Sequence, residues 1–162
     1  MSKIATGCLI IIGNEILSGR TQDTNLQHLA TALNDVGVRL VHARVIPDVE
    51  ETIVTTVNEC RQTYDHVFTT GGIGPTHDDI TADCIAMAFG VELYMHPEIV
   101  EILERREAPP EVMASRLRMA RVPEGSVLIE NPTSGPHGFQ IENVYVMAGV
   151  PMVMQGMVST LT

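Results

Sequence analysis

Residues 4–12 form a continuous apolar run with β-branched members, Ile4-Ala5-Thr6-Gly7-Cys8-Leu9-Ile10-Ile11-Ile12. A strand of this kind has no polar face to turn to water. It belongs in the middle of a sheet covered on both faces, as parallel strands in α/β proteins are. The next eighty residues agree with that placement. Thr21-Gln22-Asp23-Thr24 offers a helix start, and Leu26, Leu29, Ala30 and Leu33 then recur at i, i+3, i+4 and i+7, which is one helix face. Gly37 is placed to end that helix in the left-handed region. Residues 38–46 read as the next strand, stopped by Pro47-Asp48. Val49, Ile53, Val57 and Cys60 make a second helix face, residues 66–70 a third strand, and a third helix runs to about Phe89 and stops at Gly90. The order β-α-β-α-β-α with short connections implies a parallel sheet with right-handed crossovers and helices on both sides.

The third strand leads into Thr69-Thr70-Gly71-Gly72-Ile73-Gly74-Pro75-Thr76-His77-Asp78-Asp79-Ile80-Thr81. Three glycines in four positions let a backbone turn sharply, take φ > 0 and bring its N–H groups close to a ligand. The next helix aims the positive end of its dipole at the same place. Such a loop suits a phosphate or carboxylate. Asp78 and Asp79 lie where that anion would be, and two carboxylates repel a phosphate unless a divalent cation lies between them. The reading is therefore an anion-plus-metal site. The bland alternative is a plain turn with Asp79 or Thr81 as helix cap. The spacing is neither G-x-G-x-x-G nor the Walker pattern, and with no Lys in the loop a P-loop nucleotidase is disfavoured. His77 reads first as a solvated loop residue, second as an acid or ligand. At the end of the first strand, Asn14 and Glu15 in Gly13-Asn14-Glu15-Ile16-Leu17-Ser18-Gly19-Arg20 point to the same sheet edge, where parallel sheets bind ligands. Their bland reading is a capped turn.

The second half is less regular. Residues 91–95 read as a short strand, 97–107 as a helix with Pro97 in its first turn, and 111–121 as another helix beyond Pro109-Pro110, ended by Val122-Pro123-Glu124-Gly125. Residues 126–130 form a strand. A polar stretch, Asn131-Pro132-Thr133-Ser134-Gly135-Pro136-His137-Gly138, leads to strands at 139–142 and 144–147. These suit a hairpin, although Glu142-Asn143 is a weak turn pair. Ala148-Gly149-Val150-Pro151 precedes a Met-rich final helix, which leads to the expectation of a longer natural chain or a contact with another subunit.

The net charge of −10 disfavours nucleic-acid binding through a basic surface. Arg105, Arg106, Arg116, Arg118 and Arg121 are interleaved with glutamates. They read as a solvated helix face, with one or two of them reaching an anionic ligand as the minority reading. Cys8, Cys60 and Cys84 are odd in number, widely spaced and set in apolar patterns, as buried thiols in a reducing compartment would be. No apolar stretch is long enough to span a membrane, and the amino terminus does not read as a signal peptide. The expectation is one cytoplasmic domain over residues 1–162.

Four blocks together, residues 13–20, Arg44-Val45-Ile46-Pro47-Asp48, residues 69–81 and Ala148-Gly149-Val150-Pro151, resemble the molybdopterin-binding domain of MogA and MoaB, and most of all the amino-terminal half of CinA-type proteins. The resemblance spans residues 4–158, and Arg121-Val122-Pro123-Glu124-Gly125 supports the CinA-like branch. It implies an α/β fold, a three-layer α/β/α sandwich with a mainly parallel sheet and a cleft at the strand carboxyl ends. By the same resemblance Asp48 and Asp79 match the acidic residues that serve molybdopterin adenylylation with Mg²⁺. Gly71, Gly72, Gly74, Thr76 and Ser134 match pterin and phosphate contacts. Asn14 and Glu15 match the family's Gly-Asp/Asn-Glu block, Asn14 as a ligand contact and Glu15 with Asp79 as metal ligands. The implied ligand is a small phosphorylated pterin or nucleotide, with molybdopterin the first candidate. The CinA-like branch is associated with cleavage of ADP-ribose, using a divalent metal such as Mg²⁺ or Co²⁺ and also K⁺, and a related domain with cleavage of FAD. A homo-oligomer is implied as well. Position 14 is Asn where many relatives have Asp, CinA's amidase domain has no counterpart here, and His137 matches no family residue with a role. A non-catalytic binding module and an oligomerisation domain with a relic pocket are the competing readings.

Overall fold

The structure is a computed structural model and describes residues 4–133 and 135–161. The interior strand β1 (Ala5–Ile12) is flanked by the edge strand β2 (Val38–Ile46) and by β3 (His66–Thr70), both parallel to it. Beyond β3 lies β8 (Val144–Met147), also parallel, and then β7 (Gly138–Ile141) and β6 (Val127–Ile129), which run antiparallel to their neighbours. The sheet order is β2-β1-β3-β8-β7-β6. The mainly parallel sheet anticipated from the sequence is present.

The apolar run works by alternation. Cys8, Ile10 and Ile12 enter one core, with Val67 of β3 and Val144 and Val146 of β8. That core is covered by α3 (Glu50–Thr63), α4 (Thr81–Phe89) and α5 (Pro97–Glu104) through Ile53, Val57, Cys84, Ile85 and Ile99. Leu9 and Ile11 enter the opposite core, covered by α2 (Asn25–Asp35) through Leu29 and Leu33 and by α7 (Pro151–Leu161) through Met154, Met157 and Val158. The side-chain period of two in a strand supplies both faces of the sheet from one segment. The result is a three-layer α/β/α sandwich.

Several elements differ from expectation. Residues 14–17, expected as loop, form a single helical turn, α1 (Asn14–Leu17). The helix expected over 97–107 ends at Glu104. The helix expected over 111–121 is α6 (Pro110–Leu117) followed by a tighter turn at Arg118–Ala120. Arg121–Pro123 is then a strand, β5, which pairs antiparallel with β4 (Leu93–Met95). The hairpin forms despite its weak turn pair. Glu142 adopts φ 49, and the Asn143 side-chain amide donates to the carbonyls of Arg61 at 3.0 Å and Tyr64 at 3.2 Å. The turn is pinned from outside rather than by its own preference.

The three cysteines are free and fully buried, as anticipated. Cys8 and Cys60 stand Sγ to Sγ at 3.4 Å, and burial pushes the Cys84 thiol up to about 12. Among the described residues no helix is long and apolar enough to cross a membrane.

Candidate functional site

The loop after β3 depends on two glycines. Gly71 has φ +98 and Gly72 φ +73, and a Cβ at either would collide, with the Ile12 carbonyl and with Thr81 Oγ1 respectively. The Gly71 N–H donates to the Met147 carbonyl at 3.2 Å. The Thr81 hydroxyl donates to the Gly71 carbonyl and the Thr81 N–H to that of Gly72, each at 3.0 Å. The loop is thus fastened to β8 on one side and to the first turn of α4 on the other. Among the described residues the N–H groups of Gly72, Ile73 and Gly74 donate to no protein acceptor. Neither Asp79 nor Thr81 caps the helix. Ile80 holds the cap position, and no side chain bonds there.

Asp79 has another task. Its Oδ2 accepts both the N–H of Thr76 at 2.9 Å and the Thr76 hydroxyl at 2.8 Å. Thr76, matched by resemblance to a ligand contact, orients this carboxylate within its own loop. Gly74 leaves room for it, because a Cβ there would lie 2.8 Å from Asp79 Oδ2. Asp78 and His77 are exposed at the loop tip.

Asp48 comes from the end of β2 and Asn14 from the start of α1. The two exchange bonds: Asn14 N–H donates to Asp48 Oδ2 and Asp48 N–H to Asn14 Oδ1, both at 3.1 Å. Asn14 therefore commits its side-chain oxygen to the backbone of Asp48. Burial raises the Asp48 carboxyl above its usual value of 3.8. The Asn14 N–H works against that shift, and the nearby charges of Glu15, Asp79 and Asp78 add to it. Asp48 also borders the loop, since its Oδ1 would lie 3.6 Å from a Cβ on Gly72. Glu15 folds back over Gly13, where a Cβ would lie 2.5 Å from its Oε1.

These pieces meet at a cavity of about 350 Å³. Glu15, Gly72, Gly74 and Asp79 line it, with Ala148, Gly149 and Val150 from the end of β8. Gly71 lines a smaller cavity of about 50 Å³ that also holds Glu15. Asn14, Asp48 and Thr76 are not part of the main cavity's lining. Ser134 lies outside the described residues. Among the described residues no three His, Cys, Asp or Glu side chains converge to hold a metal by themselves. Sequence reading missed Met119, Asn131, Pro136, Val153 and Met157, which also line the main cavity. Asn131 carried a signal, since it opens the second polar stretch, whereas Met119 resembles any helix residue.

The parallel strands β1, β2, β3 and β8 all deliver their carboxyl ends to this edge, which is where doubly covered sheets hold their ligands. The fold and its edge define an α/β domain built around a glycine loop and an acidic cluster. The chain belongs to the molybdopterin-binding domain family. The family model described as "Probable molybdopterin binding domain" matches residues 8–162. A protein of Archaeoglobus fulgidus is 37% identical over 147 residues, 91% of this chain and 63% of that one. A CinA-like protein of Citrifermentans bemidjiense is 37% identical over 92% of this chain and 37% of its own length. The chain thus spans less than two thirds of the curated relatives it matches. The solved structure of the protein CinA from Thermoplasma acidophilum superposes with a TM-score of 0.87 at 28% identity, covering 96% of both chains. MoaB from Thermus thermophilus gives 0.61 at 14% identity over 97% of this chain and 89% of that one, and shows the fold alone. The domain is of the MoaB/MogA type and CinA-like.

Proposed function

We propose that the cavity at the strand carboxyl ends binds a phosphorylated pterin or nucleotide, with a divalent metal between ligand and protein. The observation that carries this is the convergence of Glu15, Gly72, Gly74 and Asp79 on one cavity of about 350 Å³. Family membership supports molybdopterin as a ligand. The unpaired N–H groups of residues 72–74 suit a phosphate oxygen.

The residues also fit a divalent cation. Burial raises the Asp48 carboxyl, the charges of Glu15, Asp79 and Asp78 add to the shift, and a cation would relieve that crowding of like charge. Asp79 and Glu15 are the ligands proposed here, with phosphate oxygens and water completing the shell for Mg²⁺ or Co²⁺. Such a cation would draw charge from non-bridging phosphate oxygens. K⁺ as a second cation and assembly into a homo-oligomer belong to the same reading and rest on the resemblance. Sedimentation tests the assembly.

Asp48 favours a second reading, cleavage of ADP-ribose or FAD to AMP. Its carboxyl is raised by burial, and Asn14 holds it beside Gly72. A carboxylate with a raised pKa accepts a proton more readily, as orienting a water for attack at phosphorus requires. Thr76 would keep Asp79 in place, and the loop N–H groups would meet charge developing on the phosphate. The test is incubation with ADP-ribose, FAD and ATP, with Mg²⁺ or Co²⁺ plus K⁺, and chromatography of the products. AMP that appears with wild type and not with Asp79→Ala supports hydrolysis. Binding without product supports the binding module, and neither binding nor product removes the loop from the account.

A further inference from the structure

A second, larger cavity of about 660 Å³ opens between α5, α6 and residues 131 and 135–137. Ile102, Leu103, Met119 and Pro136 give it an apolar floor, and Arg105, Arg106 and Arg116 stand around it. It shares Met119, Asn131 and Pro136 with the cavity at the glycine loop, so the two are neighbours across one wall.

The charge here runs against the rest of the molecule. The chain carries −10 overall, yet half of its basic residues fall between positions 105 and 121. The arginines differ in their partners. Arg121 is matched, to Asp83. Arg105 reaches Glu101 only at 3.5 Å on the surface. Among the described residues Arg106 and Arg116 form no ion pair. Arg116 is held instead by a bond from its Nη1 to the Arg106 carbonyl at 2.8 Å. That bond fixes the guanidinium at the cavity without neutralising it. In the cavity's lining, His137 Nδ1 accepts the Asn131 N–H at 2.8 Å, which leaves Nε2 to face a further partner.

Guanidinium groups beside an apolar floor suit an organic anion, and the oxygens of a phosphate, like those of a carboxylate, match their fork of donors. The loop cavity lies near the small end of the ~300–1,000 Å³ range of ligand sites. A ligand larger than one nucleotide must leave it, and the shared wall leads to the arginines. We propose that this cleft is a second anion subsite of the same binding site. It takes a phosphate group carried by the ligand in addition to the one at the glycine loop. The ligand class is an organic phosphate with two separate phosphorylated positions, its body lying on Ile102, Leu103 and Met119. This rests on the reading that the loop cavity holds the first phosphate.

The test is calorimetric titration with 5′-AMP and with adenosine 3′,5′-bisphosphate, both with Mg²⁺. It is run on wild type, Arg106→Gln, the Arg106→Gln/Arg116→Gln double variant and Asp79→Asn. The bisphosphate should bind wild type about tenfold tighter than 5′-AMP, as expected for one added charge-assisted phosphate contact. That ratio should fall in Arg106→Gln and approach one in the double variant. Asp79→Asn should weaken both nucleotides while the preference for the bisphosphate persists. Melting curves verify folding, and Arg106→Gln, which removes no recorded side-chain bond, keeps the test open if the double variant unfolds. Equal affinity of wild type for the two nucleotides overturns the arginine subsite alone. So does a preference that survives in both arginine variants. If neither nucleotide binds wild type, the loop-cavity reading fails and takes this proposal with it. A change in sedimentation of Arg106→Gln with no change in the ratio would make the cleft a contact between copies, and the proposal would fall.

Discussion

Asp48 is the residue at which chemistry and stability pull apart. A carboxyl whose pKa is raised on folding holds its proton more tightly in the native state. Stability therefore falls as pH rises from the ordinary value of 3.8 through the raised one, and the cost is fully present above it. Asp48→Asn keeps an oxygen to accept the Asn14 N–H and removes the charge. At pH 7 its melting temperature should equal or exceed that of wild type, and the gain should vanish as pH falls toward 4. Any hydrolysis should drop about 10²–10⁴-fold, the range for a lost general base. A melting temperature well below wild type at pH 7 would remove Asp48 from this account. A matched glycine pair separates backbone strain from crowding. Gly72 at φ +73 and Gly90 at φ +68 share a positive φ, but only Gly72 would drive a Cβ into a neighbour, Thr81 Oγ1. Gly90→Ala should cost about 1 kcal/mol for the left-handed backbone alone, and Gly72→Ala about 2–3 kcal/mol. Equal costs by denaturant titration would show that the loop gives way, and that its path is not fixed by Thr81.

Between elements, the tie from Arg121 on β5 to Asp83 on α4 bears most directly on the site. Its two bonds, 3.0 and 3.1 Å, join the helix that starts at the glycine loop to the small β4–β5 sheet. Both side chains are roughly a quarter to a third exposed, so the pair is worth more than a surface pair and less than a buried one. Arg121→Gln should cost about 1–2 kcal/mol and leave unfolding cooperative. A loss below about 0.3 kcal/mol would mean that packing alone seats α4. This contact also marks where sequence reading ended. Most of residues 4–90 was legible because short apolar runs give way to faces of helical period, and because Gly37 and Gly90 stop helices as glycine does; the single turn at 14–17 was not. Arg121 read as part of a solvated helix face. Its segment is a three-residue strand containing Pro123, and its partner β4 is distant in sequence. Local pattern cannot encode such a pairing. The candidate site shows the same division. Its loop and strand ends were visible as polar or glycine-rich breaks after apolar runs. The Thr76–Asp79 bonds are local, at i and i+3, and that spacing could have announced them, whereas the Asn14–Asp48 exchange depends on how two distant breaks fold over one another.

Over the whole molecule, ligand and metal should stabilise the fold jointly. The cavity offers a cation the carboxylates of Glu15 and Asp79, fewer oxygens than the six or so a divalent ion prefers, and the ligand phosphate supplies more. A phosphate without the cation meets those same carboxylates as like charges, within a chain of net charge −10. Each component should therefore bind weakly alone and strengthen the other by the same factor. A ligand held at about 100 times its dissociation constant stabilises by roughly 2.7 kcal/mol. In a domain of this size 1 kcal/mol moves the melting temperature by about 2–4 °C. ADP-ribose or FAD with Mg²⁺ at that saturation should then raise the melting temperature by about 5–10 °C. Mg²⁺ alone, or nucleotide in a chelator, should give about 1 °C or less, because neither alone completes the site. In Asp79→Asn the joint shift should shrink toward the sum of the separate ones. A nucleotide that stabilises equally with and without chelator would show that the acidic cluster serves the ligand directly, and the metal would leave the account while the glycine loop stayed in it.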